Sequence, residues 1–174
     1  MDDPFRTLGL EPRFDLSLAE IASAHLRAVA GLHPDRASDP LERERLVRAS
    51  AAAGAAKQRL SADSSRAEEL LELLGARISG ASPALSPAFL LETLELREAI
   101  EAVCGPGSAL GKRAELAASV DGLRRDLLAG LGGALRMAQR ATDPGARSEH
   151  LRTAQELLVR LRYLDRMVDR LREA

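Results

Sequence analysis

Residues 17–40 read SLAEIASAHLRAVAGLHPDRASDP, and this stretch contains two helix starts and one helix stop. Ser17 with Glu20 three residues later has the pattern of a capping box. Leu18, Ile21, Ala22, His25, Val29 and Leu32 recur at helical spacing and mark the side expected to be buried. The helix is expected to stop just before His33-Pro34, because the residue preceding a proline is pushed out of the helical region. Asp39-Pro40 then offers an N-cap and a first-turn proline for a second helix, expected over about 41–60. Six alanines between 49 and 56 would let that helix approach its neighbour closely. Two helices joined by a short polar loop make an antiparallel hairpin.

Outward from the hairpin the pattern stays helical. Asp3-Pro4 can open a short helix ending near Gly9. Ser61 to Ser65 is expected to interrupt the chain before a further short helix, Arg66 to Leu74, which Gly75 ends. Gly80, Ser82, Pro83, Ser86 and Pro87 then crowd one segment in the manner of a linker. Ser86-Pro87 caps a helix over 87–103, and Cys104 to Gly107 closes it. A long helix follows over about 109–140, weakened by Gly130, Gly132 and Gly133. Asp143-Pro144-Gly145 turns the chain into a last helix over 146–172. Three helices with short turns predict an antiparallel three-helix bundle. The expected architecture is therefore all-α. A hairpin unit with short flanking helices spans 1–77, a linker 78–86 and a three-helix bundle 87–174.

Composition agrees. The chain is 45% hydrophobic but only 2% aromatic, so its core must be built from Leu, Ala, Val and Ile, a mixture that favours helix packing. A formal net charge of −1 gives no electrostatic reason to expect nucleic acid or an anionic membrane as partner. No apolar run approaches the roughly 20 residues a bilayer span needs. The opening Met1-Asp2-Asp3-Pro4 lacks the basic and apolar parts of a secretion signal, so a cytoplasmic location is expected. Cys104 is the only cysteine, and it can form neither an internal disulfide nor a cysteine-based metal site alone.

Two features carry chemistry. His33-Pro34-Asp35 reads on its own as a turn, with Pro34 fixing φ and Asp35 able to bond nearby backbone. The helix at 87–103 has two apolar arcs. Phe89, Leu96, Ile100 and Val103 fall within about 60° and form a packing face. Leu90, Leu91 and Leu94 lie on another arc among Glu95, Glu98 and Glu101. Exposed leucines framed by carboxylates suit a partner with an apolar centre and a cationic rim, although packing on the preceding unit would also use them.

His33-Pro34-Asp35 between two antiparallel helices resembles the J domain, and Pro4-Phe5-Arg6-Thr7-Leu8-Gly9-Leu10 resembles that family's opening helix. Phe89-Leu90-Leu91-Glu92-Thr93-Leu94-Glu95-Leu96-Arg97-Glu98 is similar to the signature of the C-terminal domain of the HscB family of J-domain co-chaperones. Arg66 to Leu73 and Leu161 to Arg166 resemble its interdomain segment and its last helix. The resemblance implies a J domain at 1–77 and a scaffold-binding bundle at 87–174. It implies contact with a DnaK/HscA-type ATPase chaperone through His33, Pro34, Asp35, Arg27 and Arg36. It also implies binding of an IscU-type iron–sulfur scaffold protein by Leu90, Leu91, Leu94, Glu95, Glu98 and Tyr163. In chemical terms, Asp35 offers a charged acceptor to a partner arginine and Pro34 stiffens its presentation. The chain departs from the family in a sparse basic face on the second helix, in His25, and in Gly54 and Lys57 on the third helix. The acidic rim is thinner as well, since Ala102 stands where the family has an acid.

No enzyme and no cofactor is expected. His25, His33 and His150 lie on separate segments without the spacing of a nucleophile or metal site. No glycine-rich phosphate loop is present. Glu92, Glu95, Glu98 and Glu101 step along one helix instead of converging. A J-domain adaptor for a different client, and a divergent helical interaction protein that does not stimulate a chaperone, are the competing readings.

Overall fold

The computed structural model describes residues 3–32, 35, 37–77, 86–104 and 110–173. Among them are seven helices and no strand: α1 (Pro4–Leu8), α2 (Leu18–Val29), α3 (Pro40–Ser61), α4 (Asp63–Leu73), α5 (Pro87–Cys104), α6 (Leu110–Arg140) and α7 (Pro144–Glu173). They divide into two units, residues 1–75 and 76–174. Of the linker expected at 78–86, only Ser86 lies within the described residues.

The local signals act as the sequence suggests. Asp3 caps α1, and Gly9 closes it at φ 63°, a left-handed turn that glycine makes without strain. The capping box of α2 is complete. The Ser17 hydroxyl accepts from the Glu20 N–H at 3.2 Å, while the Glu20 carboxylate accepts from the Ser17 N–H at 2.8 Å. Those Ser17 bonds, with help from Arg13, pull the Glu20 carboxyl down to about 2. Asp39 caps α3 through the Glu42 N–H at 2.8 Å, and Ser86 caps α5 through the Phe89 N–H at 3.2 Å.

Within the first unit α3 packs against α1, α2 and α4. Phe5, Ile21, Leu60, Leu70 and Leu71 are its largest buried side chains. The buried side of α2 differs from the expected one. Ile21 and Ala24 are buried, whereas Leu18 stays 64% exposed and Ala22, His25 and Val29 are only half-buried. The core direction is rotated by about a quarter turn from the expected stripe. Periodicity sets how often a residue returns to one face, but the neighbouring helices decide which face is covered. Leu26 ends up opposite the core, exposed to solvent.

Two further expectations need correction. The break after α3 is one residue, Ala62, and α4 begins at once with Asp63. Of the alanines on α3, only Ala53 and Ala56 are buried, while Ala51 and Ala55 face solvent. The short break is held by Arg66, a buried arginine. Its Nε donates to the Phe14 carbonyl at 2.7 Å and its Nη1 to the Leu60 carbonyl. Its Nη2 meets Asp63 at 2.6 Å, and its guanidinium lies 5.2 Å from the centre of the Phe14 ring. One cation thus joins the α1–α2 loop, the end of α3 and the start of α4.

In the second unit α6 and α7 form a long antiparallel hairpin, with α5 packed against both. Leu131, Leu135, Leu158 and Leu161 are fully buried there. The α6 helix runs unbroken through Gly130, Gly132 and Gly133. A Cβ on Gly130 would lie 3.4 Å from a Leu157 methyl, so this glycine allows close approach of the two helices. Arg124 and Asp165 bridge α6 and α7 at 2.9 Å.

Candidate functional site

Two regions hold the residues singled out by the sequence, one in each unit. In the first unit the relevant feature is the connection between α2 and α3. His33, Pro34 and Arg36 lie outside the described residues. Asp35 is exposed, with its carboxylate 3.8 Å from the Arg43 guanidinium of α3. Both partners face water, so this pair is weak. Arg27 is exposed on α2.

The chain just beyond Asp35 is more ordered by hydrogen bonds than its composition suggested. The Glu42 carboxylate accepts from the Ser38 N–H at 2.7 Å and from the Ser38 hydroxyl at 2.6 Å. Those bonds lower the Glu42 carboxyl below its ordinary value. With Asp39 capping the same turn, the start of α3 is fixed immediately after the loop. Ser38 and Glu42 escaped the sequence reading, although a Ser four residues before a Glu at a helix start is a legible signal.

In the second unit the site is α5. Its packing face is as expected: Ile100 is buried against Met167, with Leu96, Val103 and Tyr163 packed around them. Thr93 is buried on the same side. The opposite side carries Leu90, Leu91 and Leu94, which remain 52%, 58% and 51% exposed. Glu95 and Glu98 stand exposed among them. Three half-exposed leucines within five residues form an apolar ridge on one helix. Among the described residues no neighbouring element of the second unit covers it.

Tyr163 sits beside this helix, half-buried. Its ring meets Phe89 edge-on, with centroids 6.1 Å apart and planes at 80°. Arg160 lies 5.0 Å from the Phe89 ring centre and Arg166 lies 5.3 Å from that of Tyr163. The result is a ladder, Arg160–Phe89–Tyr163–Arg166, that fastens the start of α5 to α7 through aromatic edges and cation–π contacts. Arg97, bonded to Glu101 at 2.9 Å, is held in its charged form by that carboxylate and by the nearby Tyr163 hydroxyl. Burial, and then the neighbouring Arg166, weakens the hold of Arg162 on its proton. The structure therefore brings Tyr163 to the packing side of α5 through Phe89, opposite Leu90, Leu91 and Leu94. Sequence reasoning missed Arg160 and Arg166. Their spacing of three from Tyr163 on α7 is the signal that could have found them.

Among the described residues no group of three or more His, Cys, Asp or Glu could hold a metal ion, and no helix is long and apolar enough to cross a membrane. The arrangement presents surfaces for binding.

Residues 85–172 match the family model described as the HSCB C-terminal oligomerisation domain. The chain is 33% identical over 138 residues to the co-chaperone protein HscB homologue of Vibrio vulnificus strain YJ016, covering 78% of this chain and 81% of that protein. It is 32% identical over 129 residues to the corresponding homologue of Bordetella petrii, covering 72% and 74%. Among solved structures, the chaperone HscB from Vibrio cholerae aligns with a TM-score of 0.78 at 26% identity, over 99% of this chain and 96% of that one. The human co-chaperone protein HscB has the same fold, with a TM-score of 0.81 at 18% identity over 99% and 82%.

Proposed function

The chain belongs to the HscB co-chaperone family, and from that premise we propose that it couples an IscU-type iron–sulfur scaffold protein to a DnaK/HscA-type ATPase chaperone in the cytoplasm. The first unit, residues 1–77, acts as the J domain. His33, Pro34 and Asp35 engage the ATP-bound chaperone, with Arg27 and Arg36 beside them, and ATP hydrolysis takes place in the chaperone. The exposed Asp35 carboxylate, 3.8 Å from Arg43, is a charged acceptor for a partner arginine. The second unit, residues 87–174, carries the scaffold on α5.

The observation that supports this most is the ridge of Leu90, Leu91 and Leu94. Leaving three leucines half in water sacrifices burial worth about 1 kcal/mol or more apiece, and a partner recovers it. Glu95 and Glu98 on the rim exclude wrong partners and suit a basic margin, while Tyr163 would add an aromatic contact from the other side of α5, where it packs on Phe89.

Single-turnover ATP hydrolysis by the host's DnaK-family chaperones, with and without this protein, is the direct test. Stimulation is expected, with Asp35→Asn abolishing it. A folded protein that stimulates none of them overturns the chaperone half of the reading. The double variant Leu91→Ala/Leu94→Ala should still stimulate hydrolysis while losing the scaffold. Retention of both activities would overturn the ridge as the scaffold-binding patch.

A further inference from the structure

A groove of about 310 Å³ opens between α5 and the α6–α7 hairpin, on the side of α5 turned away from the leucine ridge. Its floor is apolar, made by Phe89, Leu127, Leu164 and Met167, and Leu123 stands half-exposed at its edge. Thr93 lines it. This side chain is only 7% exposed, no described residue hydrogen-bonds its hydroxyl, and the oxygen keeps a sliver of access. A threonine inside a helix commonly bonds the carbonyl four residues back, as Thr153 does to Glu149 at 3.0 Å. Thr93 forgoes that bond, so its hydroxyl is left to the groove.

The rim is acidic. Glu92 on α5 and Asp126 on α6 both line the groove, and neither forms an ion pair among the described residues. The one cation on the wall, Arg160, is stacked on Phe89. An apolar slot with two uncommitted carboxylates at its mouth is complementary to an aliphatic side chain followed by a cationic one. The volume lies at the lower end of sites that hold small ligands, roughly 300–1,000 Å³, which leaves room for one or two side chains but not for a helix.

We propose that this groove is a second contact site for the scaffold protein, receiving a short extended segment with an aliphatic residue next to Lys or Arg, whose backbone or side chain bonds the Thr93 hydroxyl. The inference rests on the scaffold-binding reading and extends it from the outer ridge of α5 to its inner edge. The partner then grips α5 on two sides, so the ridge and the groove contribute separately to affinity.

The test uses the full chain and the host's IscU-type scaffold, with affinity and association rate measured for three variants. Thr93→Val keeps the shape and removes the hydroxyl. It should leave thermal stability unchanged or raised while weakening the complex by about fivefold. Glu92→Lys/Asp126→Lys should weaken it by about tenfold, mainly through slower association, and should flatten its dependence on salt. Leu91→Ala reports the ridge. Groove variants that bind like the parent while Leu91→Ala weakens binding would overturn the groove and keep the ridge. A parent protein that binds no scaffold at all overturns both. Sedimentation completes the set, because groove variants that change self-association and not scaffold binding would assign the groove to a second copy of this chain and overturn the proposal.

Discussion

The two units reach a buried core by different routes. The first surrounds a core of Phe5, Ile21, Leu60, Leu70 and Leu71 with polar groups that lock its joints. Arg66 ties three segments, Arg59 and Glu69 pair across the α3–α4 corner, and the capping groups of Ser17, Glu20, Ser38, Asp39 and Glu42 fix helix starts. The second relies on leucine and alanine meshing along a long hairpin, which Arg124 and Asp165 bridge. The difference shows where each unit can spare a surface. A unit closed by specific hydrogen bonds can leave Asp35 exposed without loosening its joints. A unit closed by a strong hairpin can afford a third helix whose outer side stays apolar and open.

The largest stability loss should come from breaking the polar lock. Arg66→Met removes one partner of a buried network and strands the Phe14 and Leu60 carbonyls, at a cost of about 4 kcal/mol. Hydrogen exchange should show α1 to α4 losing protection while α6 and α7 keep theirs. Equal loss in both units would break the contrast.

Leu158→Ala should follow, at about 3 kcal/mol, since it opens a cavity in the hairpin core. Its exchange signature should be the reverse, with α6 and α7 affected and the first unit spared.

Next comes the capping box. Ser17→Ala should cost about 1 kcal/mol near neutral pH. The pH dependence has a definite sign. The Glu20 carboxyl sits at about 2 in the folded chain against an ordinary 4.5, so its contribution is present above the ordinary value and is lost as pH falls between the two. Urea unfolding should therefore show the gap between parent and Glu20→Gln shrinking across that interval. A gap that widened on acidification would refute the assignment.

The smallest stability effect is expected where the binding effect is large. Leu91→Ala/Leu94→Ala should leave stability within about 0.5 kcal/mol, because half-exposed side chains lose little on truncation. A loss of several kcal/mol would mean that the ridge is structural and not a docking surface.

Much of this could be read directly from the chain. Ser17 with Glu20, Asp39-Pro40 and Ser86-Pro87 fixed helix starts, and Gly9 and Gly75 fixed helix ends. These are signals between neighbours a few residues apart, carried by chemistry that acts wherever the chain goes. The two arcs of α5 were legible for the same reason, since the helical period separates Phe89, Leu96 and Ile100 from Leu90, Leu91 and Leu94. What the sequence left open is how each helix is rotated against its neighbours. The covered side of α2 settled on Ile21 and Ala24 and left Leu18 in water. Arg66 became a lock, and Arg160 and Arg166 stacked on rings supplied by two different helices. Residues 14, 60, 63 and 66, or 89, 160, 163 and 166, meet only after packing. Local hydrogen bonds and periodicity therefore determined the elements and their ends. The choice of buried face, the polar lock and the groove beside Thr93 were decided by long-range complementarity, which has no signature at short sequence separation.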